Sequence, residues 1–152
     1  MSPVPRPPSL VPCVLTPVPC SLTSGLPMYD ITVSRIFAAG HAIRLYDGSL
    51  EPVHGHNWTV EVTVTAAELD AIEVVMDFHL LETLVDALMK QVHNRHLNEV
   101  LPFGSAPGTV NPTAERVAWW IGTEVAKGLP SHAKLTSVKV GEAPGCTATF
   151  RP

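Results

Sequence analysis

His54-Gly55-His56-Asn57-Trp58-Thr59-Val60-Glu61-Val62-Thr63-Val64-Thr65 is the stretch on which the reading of this 152-residue chain turns. From Trp58 onward apolar side chains alternate with Thr59, Glu61, Thr63 and Thr65, the period of two that belongs to a β-strand with one buried face. His54 and His56 share the parity of Trp58 and the valines, so both imidazoles fall on the apolar side. Two imidazoles side by side on a buried face, with only Gly55 between them, are costly without a shared partner. His41 supplies a third ring at the end of an earlier strand-like run. Three neutral imidazoles with no thiolate among them suit zinc. They leave a fourth tetrahedral position for water or substrate, as in catalytic rather than closed structural sites.

Working outward, residues 29 to 39 read as a strand, joined to the strand over residues 57 to 65 by a loop of about a dozen residues with the turn signal Asp47-Gly48. Asp77 can cap a helix whose apolar positions are Leu81, Leu84, Val85, Leu88 and Val92. A second helix opens at Asn111-Pro112-Thr113, carries Val117, Trp120, Ile121 and Val125 on one face, and stops at Gly128 with Pro130 beyond. Residues 134 to 142 read as a strand, Pro144-Gly145 as a turn, and a last strand runs through Phe150. The order β-β-α-α-β-β predicts an α+β fold with two helices on one face of a four-stranded antiparallel sheet. A short sheet with open edges favours pairing with copies of itself, so a homo-oligomer is expected. The pair Trp119-Trp120 cannot be wholly buried by one helical face, which leaves one ring for a neighbouring element, a second subunit or solvent.

The composition narrows the function. A hydrophobic fraction of 45% supports one cored domain, and a net charge of -4 with ten scattered basic residues leaves no electrostatic footprint for nucleic acid. No stretch is long and apolar enough to span a membrane. Residues 1-27 hold eight of the fifteen prolines and read as a flexible extension, leaving 28-152 as the folded domain. Pro12, Pro17 and Pro19 interrupt every candidate secretory segment, and Met28 stands where translation of the domain alone would begin. Cys13, Cys20 and Cys146 have no zinc-ribbon spacing, and a reducing cytoplasm is the simplest setting. Small-molecule chemistry fits better than any polymer partner.

Several linked motifs over residues 29 to 151 resemble the family of 6-pyruvoyltetrahydropterin synthase and 6-carboxytetrahydropterin synthase. Phe37-Ala38-Ala39-Gly40-His41 is similar to its F-x-A-x-H, and His54-Gly55-His56-Asn57-Trp58 to its H-G-H-N-[YW]. Val75-Met76-Asp77-Phe78 and Pro112-Thr113-Ala114-Glu115 resemble the segments that open its two helices. The resemblance implies the tunnelling fold, assembled as a ring that is commonly a hexamer of two stacked trimers, with the pocket between subunits. It implies that His41, His54 and His56 hold Zn2+ and that Glu142 anchors the amino-pyrimidinone edge of a pterin. Parity supports the last point, since Glu142 follows Val138 and Val140 onto the apolar side, where a carboxylate needs a partner. Fraying before the turn would instead leave it in water.

The chain departs from the family pattern in two places. Where the pyruvoyl- and carboxy-forming enzymes carry a cysteine, four residues before H-G-H, this sequence has Leu50. Glu51-Pro52-Val53-His54-Gly55-His56 resembles instead the E-x-x-H-G-H subclass that converts dihydroneopterin triphosphate to 6-hydroxymethyldihydropterin, a folate precursor. There Glu51 would move protons during retro-aldol cleavage. The family's Asp-His pair aligns with His93-Asn94, and Asn94 cannot titrate. His93 is either the remaining acid or base or, like His96, a cation near a helix C-terminus. Cys146 has no identifiable base partner. Arg35, Arg44, Lys90 and Arg95 are candidates for the phosphates. The expected activity is therefore a zinc-dependent lyase acting on 7,8-dihydroneopterin triphosphate. The alternatives are a 6-carboxytetrahydropterin synthase of the queuosine pathway, a noncatalytic zinc- and pterin-binding protein, and a purely structural metal site.

Overall fold

The computed structural model describes residues 28 to 106 and 108 to 152. The proline-rich extension expected over residues 1-27, with Cys13 and Cys20, lies outside the described residues. Two long strands dominate, β1 (Tyr29–His41) and β2 (His54–Ala66), paired antiparallel without a slip from Tyr29 opposite Ala66 to His41 opposite His54. The alternation in β2 explains the pairing. Trp58, Val60, Val62 and Val64 have no exposed surface, while the threonines and Glu61 between them line the other face. Each fully buried valine of this kind contributes about 1.5–3 kcal/mol relative to exposure.

The first helix, α1 (Phe78–Val92), is capped by Asp77, whose Oδ1 accepts the His79 N–H at 2.8 Å. It buries Leu81, Val85, Leu88 and Val92, with Leu84 half-buried. The second, α2 (Ala114–Ala126), buries Val117, Trp120, Ile121 and Val125. Its cap is Thr113 rather than Asn111, whose amide is engaged elsewhere. Trp119 is partly buried, with the Arg116 guanidinium over its ring at 5.5 Å. The helices cover one face, α1 against β1 and α2 against the closing hairpin of β4 (Lys134–Ala143) and β5 (Cys146–Phe150). Gly145 turns that hairpin with φ of 80°, a conformation other residues rarely adopt.

The sheet has five strands where four antiparallel ones were expected. A two-residue strand, β3 (Arg95–His96), pairs in parallel with Ala39 and Gly40, and the order is β3-β1-β2-β4-β5. The sheet is therefore mixed. Asn94 bends the chain at φ of 57° straight after α1, and its N–H donates to the Ala38 carbonyl at 2.7 Å. His93 takes the Ala38 N–H on Nδ1 at 3.2 Å. Both edge groups of Ala38 are thus satisfied by the end of α1. Two residues carry no periodicity, which is why sequence pattern cannot reveal this strand. Both long strands also reach beyond the expected bounds of 29 to 39 and 57 to 65, since the ladder continues through His41 and begins at His54.

Candidate metal centre

Strand register assembles the centre. His41 and His54 are direct partners at the end of the β1–β2 ladder, and His56 follows two residues on with the same parity. On the other side of β2, Thr59 pairs with Gly141, and the β4–β5 register slips between Gly141 and Ala143. Glu142 sits in that slip, released from regular pairing, and turns toward the histidines. The ligating atoms of His41, His54, His56 and Glu142 all lie within 4.8 Å of one another. His41 is wholly buried, whereas the side chains of His54, His56 and Glu142 are 42%, 23% and 27% exposed. The group thus opens to one side.

Hydrogen bonding shows what the group lacks. His41 Nδ1 lies 2.9 Å from the Pro112 carbonyl, and His54 Nδ1 lies 3.0 Å from the Pro52 carbonyl. A carbonyl only accepts, so both Nδ1 atoms carry the proton and each Nε2 presents a lone pair. Glu142 Oε1 stands 2.9 Å from His41 Nε2 and 3.2 Å from His56 Nε2. Yet neither buried nitrogen has a hydrogen-bond partner among the described residues, because the contacts are short but not directed as hydrogen bonds. Burial pushes the His41 imidazole below its ordinary range, with His54 and His56 adding to it. The Pro112 carbonyl and Glu142 pull the other way. A neutral imidazole lone pair facing a carboxylate oxygen needs a cation between them, and three histidine nitrogens with one carboxylate are a donor set for a divalent metal. Imidazoles steered from behind by backbone carbonyls complete that fit.

The surroundings hold the rings still. The Trp58 indole stands edge-on to His41 at 4.8 Å and to His56 at 5.6 Å, with its N–H on the Ala39 carbonyl. Buried Asn98 grips both backbone groups of Ala42, and Asn111 does the same for Arg44, so the chain leaving His41 is clamped by two side-chain amides. Neither clamp was foreseen. Asn98 follows Leu97 outside any periodic run, and Asn111 stands before Pro112 where the sequence pattern opens the second helix, so neither position signals its clamp.

The two catalytic candidates fall in different places. Glu51 lies beside the cluster, its Oε1 accepting the Ile43 N–H at 2.9 Å and standing 3.8 Å from His54 Nδ1. His93 does not join the cluster. It is exposed on the outer edge of β1, in a recess with Ile36, Asp86, Met89 and Lys90. Its Nδ1 accepts from Ala38, an arrangement of the neutral ring rather than of a helix-capping cation.

Among the basic candidates, Arg35 is bound to Asp86 at 2.6 Å and Glu82 at 3.0 Å, and these carboxylates raise its pKa while Asp86 is lowered in turn. Arg44 donates to the Ser105 carbonyl. Arg95 has no ion-pair partner among the described residues and shares a cleft of about 450 Å3 with His56, Asn57 and Asn94, floored by Gly40 and Gly55. A second cleft, of about 430 Å3, runs from Glu142 to Ile43, Thr113, Glu115, Cys146 and Thr147.

Two helices on one face of a mixed sheet, with a three-histidine, one-carboxylate group at the end of the long strands, define the class. Residues 30–152 match the family model of 6-pyruvoyl tetrahydropterin synthase, and the chain belongs to that family. It is 33% identical over 106 residues to dihydroneopterin monophosphate aldolase of Pyrococcus furiosus, covering 70% of this chain and 82% of that protein. It is 27% identical over 125 residues to 6-carboxy-5,6,7,8-tetrahydropterin synthase of Rickettsia bellii, covering 72% and 91%. The solved 6-pyruvoyl tetrahydropterin synthase of Caenorhabditis elegans superposes with a TM-score of 0.70 at 22% identity, over 84% of this chain and 97% of that one. A Plasmodium vivax 6-pyruvoyltetrahydropterin synthase, solved as a catalytic-residue mutant with glutamate replaced by alanine, has the same fold at a TM-score of 0.66 and 17% identity, over 83% and 98%. The chain is thus a pterin-metabolism protein of this family with residues that can hold a metal. No helix among the described residues is long and apolar enough to cross a membrane.

Proposed function

We propose that this protein is a zinc-dependent lyase that shortens the side chain of a phosphorylated 7,8-dihydroneopterin to leave 6-hydroxymethyl-7,8-dihydropterin. The observation that carries the reading is Glu51, held by the Ile43 N–H beside His54, with Leu50 where a thiol would stand. The relatedness to a protein named as a dihydroneopterin monophosphate aldolase supports it. The resemblance of Glu51-Pro52-Val53-His54-Gly55-His56 to the E-x-x-H-G-H subclass implies the triphosphate. The aldolase's name makes the monophosphate the other member of the same substrate class.

Retro-aldol cleavage needs a base for the 2′-hydroxyl proton and an acid to return a proton to C1′. As the 2′-hydroxyl loses its proton, the C1′–C2′ bond breaks, C2′ departs as an aldehyde with the phosphorylated carbon, and the bonding pair passes into the pterin imine. Protonation at C1′ then yields the hydroxymethyl group. Glu51 suits both transfers, since the Ile43 N–H fixes one oxygen and leaves the other free. Zinc held by His41, His54 and His56 would supply Lewis-acid polarisation of the side-chain hydroxyls. The cleft from Glu142 to Thr113 takes the ring, with the Glu142 carboxylate on its N–H edge. Arg95, which lines the cleft shared with His56 and has no ion-pair partner among the described residues, takes the phosphate.

The reading includes a homo-oligomer, a hexamer by resemblance. His93 lies apart from the cluster of its own chain, so its acid–base role is assigned to a neighbouring subunit's pocket. Exposed Ile36 on the β1 edge and exposed Leu45, Tyr46 and Val53 near the centre support such packing. The test is incubation of zinc-loaded protein with 7,8-dihydroneopterin monophosphate and triphosphate, product identification by mass spectrometry, and a His54→Ala control. A metal-dependent 6-hydroxymethyl product is expected. A 6-carboxy or 6-pyruvoyl product would replace the reading, and intact substrates would leave a binding protein.

A further inference from the structure

Glu142 answers to two sites at once. Its Oε1 lies 2.9 Å from His41 Nε2 and 3.2 Å from His56 Nε2, close enough to be the fourth donor of the centre. Its Oε2 has no hydrogen-bond partner among the described residues, and the side chain borders two clefts. One leads to Thr113 and Cys146, the other to Asn57, Thr59 and Gly145. Register explains how one carboxylate can serve both. The slip between Gly141 and Ala143 leaves residue 142 out of the pairing that pins its neighbours, so the side chain can move without breaking a ladder bond.

We propose that Glu142 is a carboxylate exchanged between metal and pterin. With the cleft empty, Oε1 completes the coordination begun by the three histidines and closes the centre. When a pterin ring enters, its neighbouring N–H donors draw the carboxylate into a two-point contact, and Oε1 withdraws from His41 and His56. The position it leaves becomes available to the substrate's own side chain. The centre is then open to chemistry only when a ring with the correct N–H pair is seated, which selects pterins over other polyols. One group cannot satisfy both partners fully, so metal and ring must weaken each other's binding by the same factor.

This inference rests on the pterin reading of the cleft, and its test uses no turnover. The probe is pterin itself, without the hydroxylated side chain, so that any effect on the metal comes from the ring. In cobalt-substituted protein, adding pterin should alter the d–d absorption, and the wild-type protein freed of metal should bind pterin about fivefold or more tightly than the zinc-loaded form. In Glu142→Gln the pterin-induced spectral change should disappear. Equal pterin affinity with and without metal, or a cobalt spectrum indifferent to pterin, would overturn the proposal, as would failure to bind pterin at all. The affinity comparison uses only the wild-type chain, so poor folding of the variant cannot hide the answer. Exchange without conversion of dihydroneopterin phosphates would sink the lyase reading alone. Conversion with an indifferent spectrum would sink the exchange alone.

Discussion

Asn98 holds Ala42 by both of its backbone groups, accepting the N–H at 2.9 Å and donating to the carbonyl at 2.7 Å, one residue after His41. Asn98→Leu keeps the volume and leaves both groups of Ala42 unpaired in a buried setting. The expected loss is about 2–4 kcal/mol of stability. Metal affinity should fall roughly tenfold or more, because a supporting contact of a ligand has been removed. Urea titration and zinc competition with a chromogenic chelator measure the two effects. Unchanged zinc affinity would show that the clamp serves folding alone.

Glu51→Gln retains an oxygen for the Ile43 N–H and removes the basic carboxylate. Zinc content and melting temperature should stay close to wild type, while kcat on phosphorylated dihydroneopterin drops roughly 10²- to 10⁴-fold. Steady-state kinetics beside metal analysis decides the matter, and unaltered turnover would remove Glu51 from the mechanism.

Arg95→Ala should raise KM for the phosphorylated substrate roughly tenfold or more, the scale of a lost charge-assisted contact. Binding of unphosphorylated dihydroneopterin should change little. If both ligands weaken equally, Arg95 supports the cleft rather than the phosphate.

Stripping the metal should leave the fold standing. The core formed by Trp58, Val60, Val62, Leu81, Val85, Ile121 and Val138 is continuous, and none of these residues is a ligand of the centre. Chelated protein should keep its far-ultraviolet circular dichroism, melt at a lower temperature and lose turnover. Unfolding on chelation would instead mark a structural metal site.

The buried His41 also sets a pH dependence. Its folded-state pKa is lowered, chiefly by burial, so near and below about pH 6.5 the unfolded chain binds the proton more readily than the native one. Stability of the metal-free protein should therefore decline as pH falls from about 7.5 to about 5.5. Zinc binding should weaken in the same direction, since only neutral imidazoles ligate. Urea midpoints across that range test the sign, and a flat or rising midpoint toward acid would contradict the assignment.

Much of this protein is written in local pattern. The period-two run from Trp58 to Thr65 announced a half-buried strand and set His54 and His56 on its inner side, while Asp77 and the apolar spacing after it marked the first helix. Both follow from nearest-neighbour geometry, in which a side chain's direction depends on its own backbone and a cap on the next few residues. The parity of Glu142 was legible for the same reason. Its meeting with the histidines was not, because that depends on β4 pairing with β2 across some eighty residues of chain and on a slip of register at one residue. Strand β3 and the asparagine clamps on Ala42 and Arg44 escaped likewise, being contacts between distant segments that leave no periodic trace. His93 stood in a motif that suggested chemistry, and only the packed chain put it on the outer edge of β1 with its Nδ1 committed to Ala38. Residue types and their spacing thus determined which groups were available and which way they faced. Tertiary structure decided which of them meet, since meeting is set by long-range pairing energy that no single segment contains.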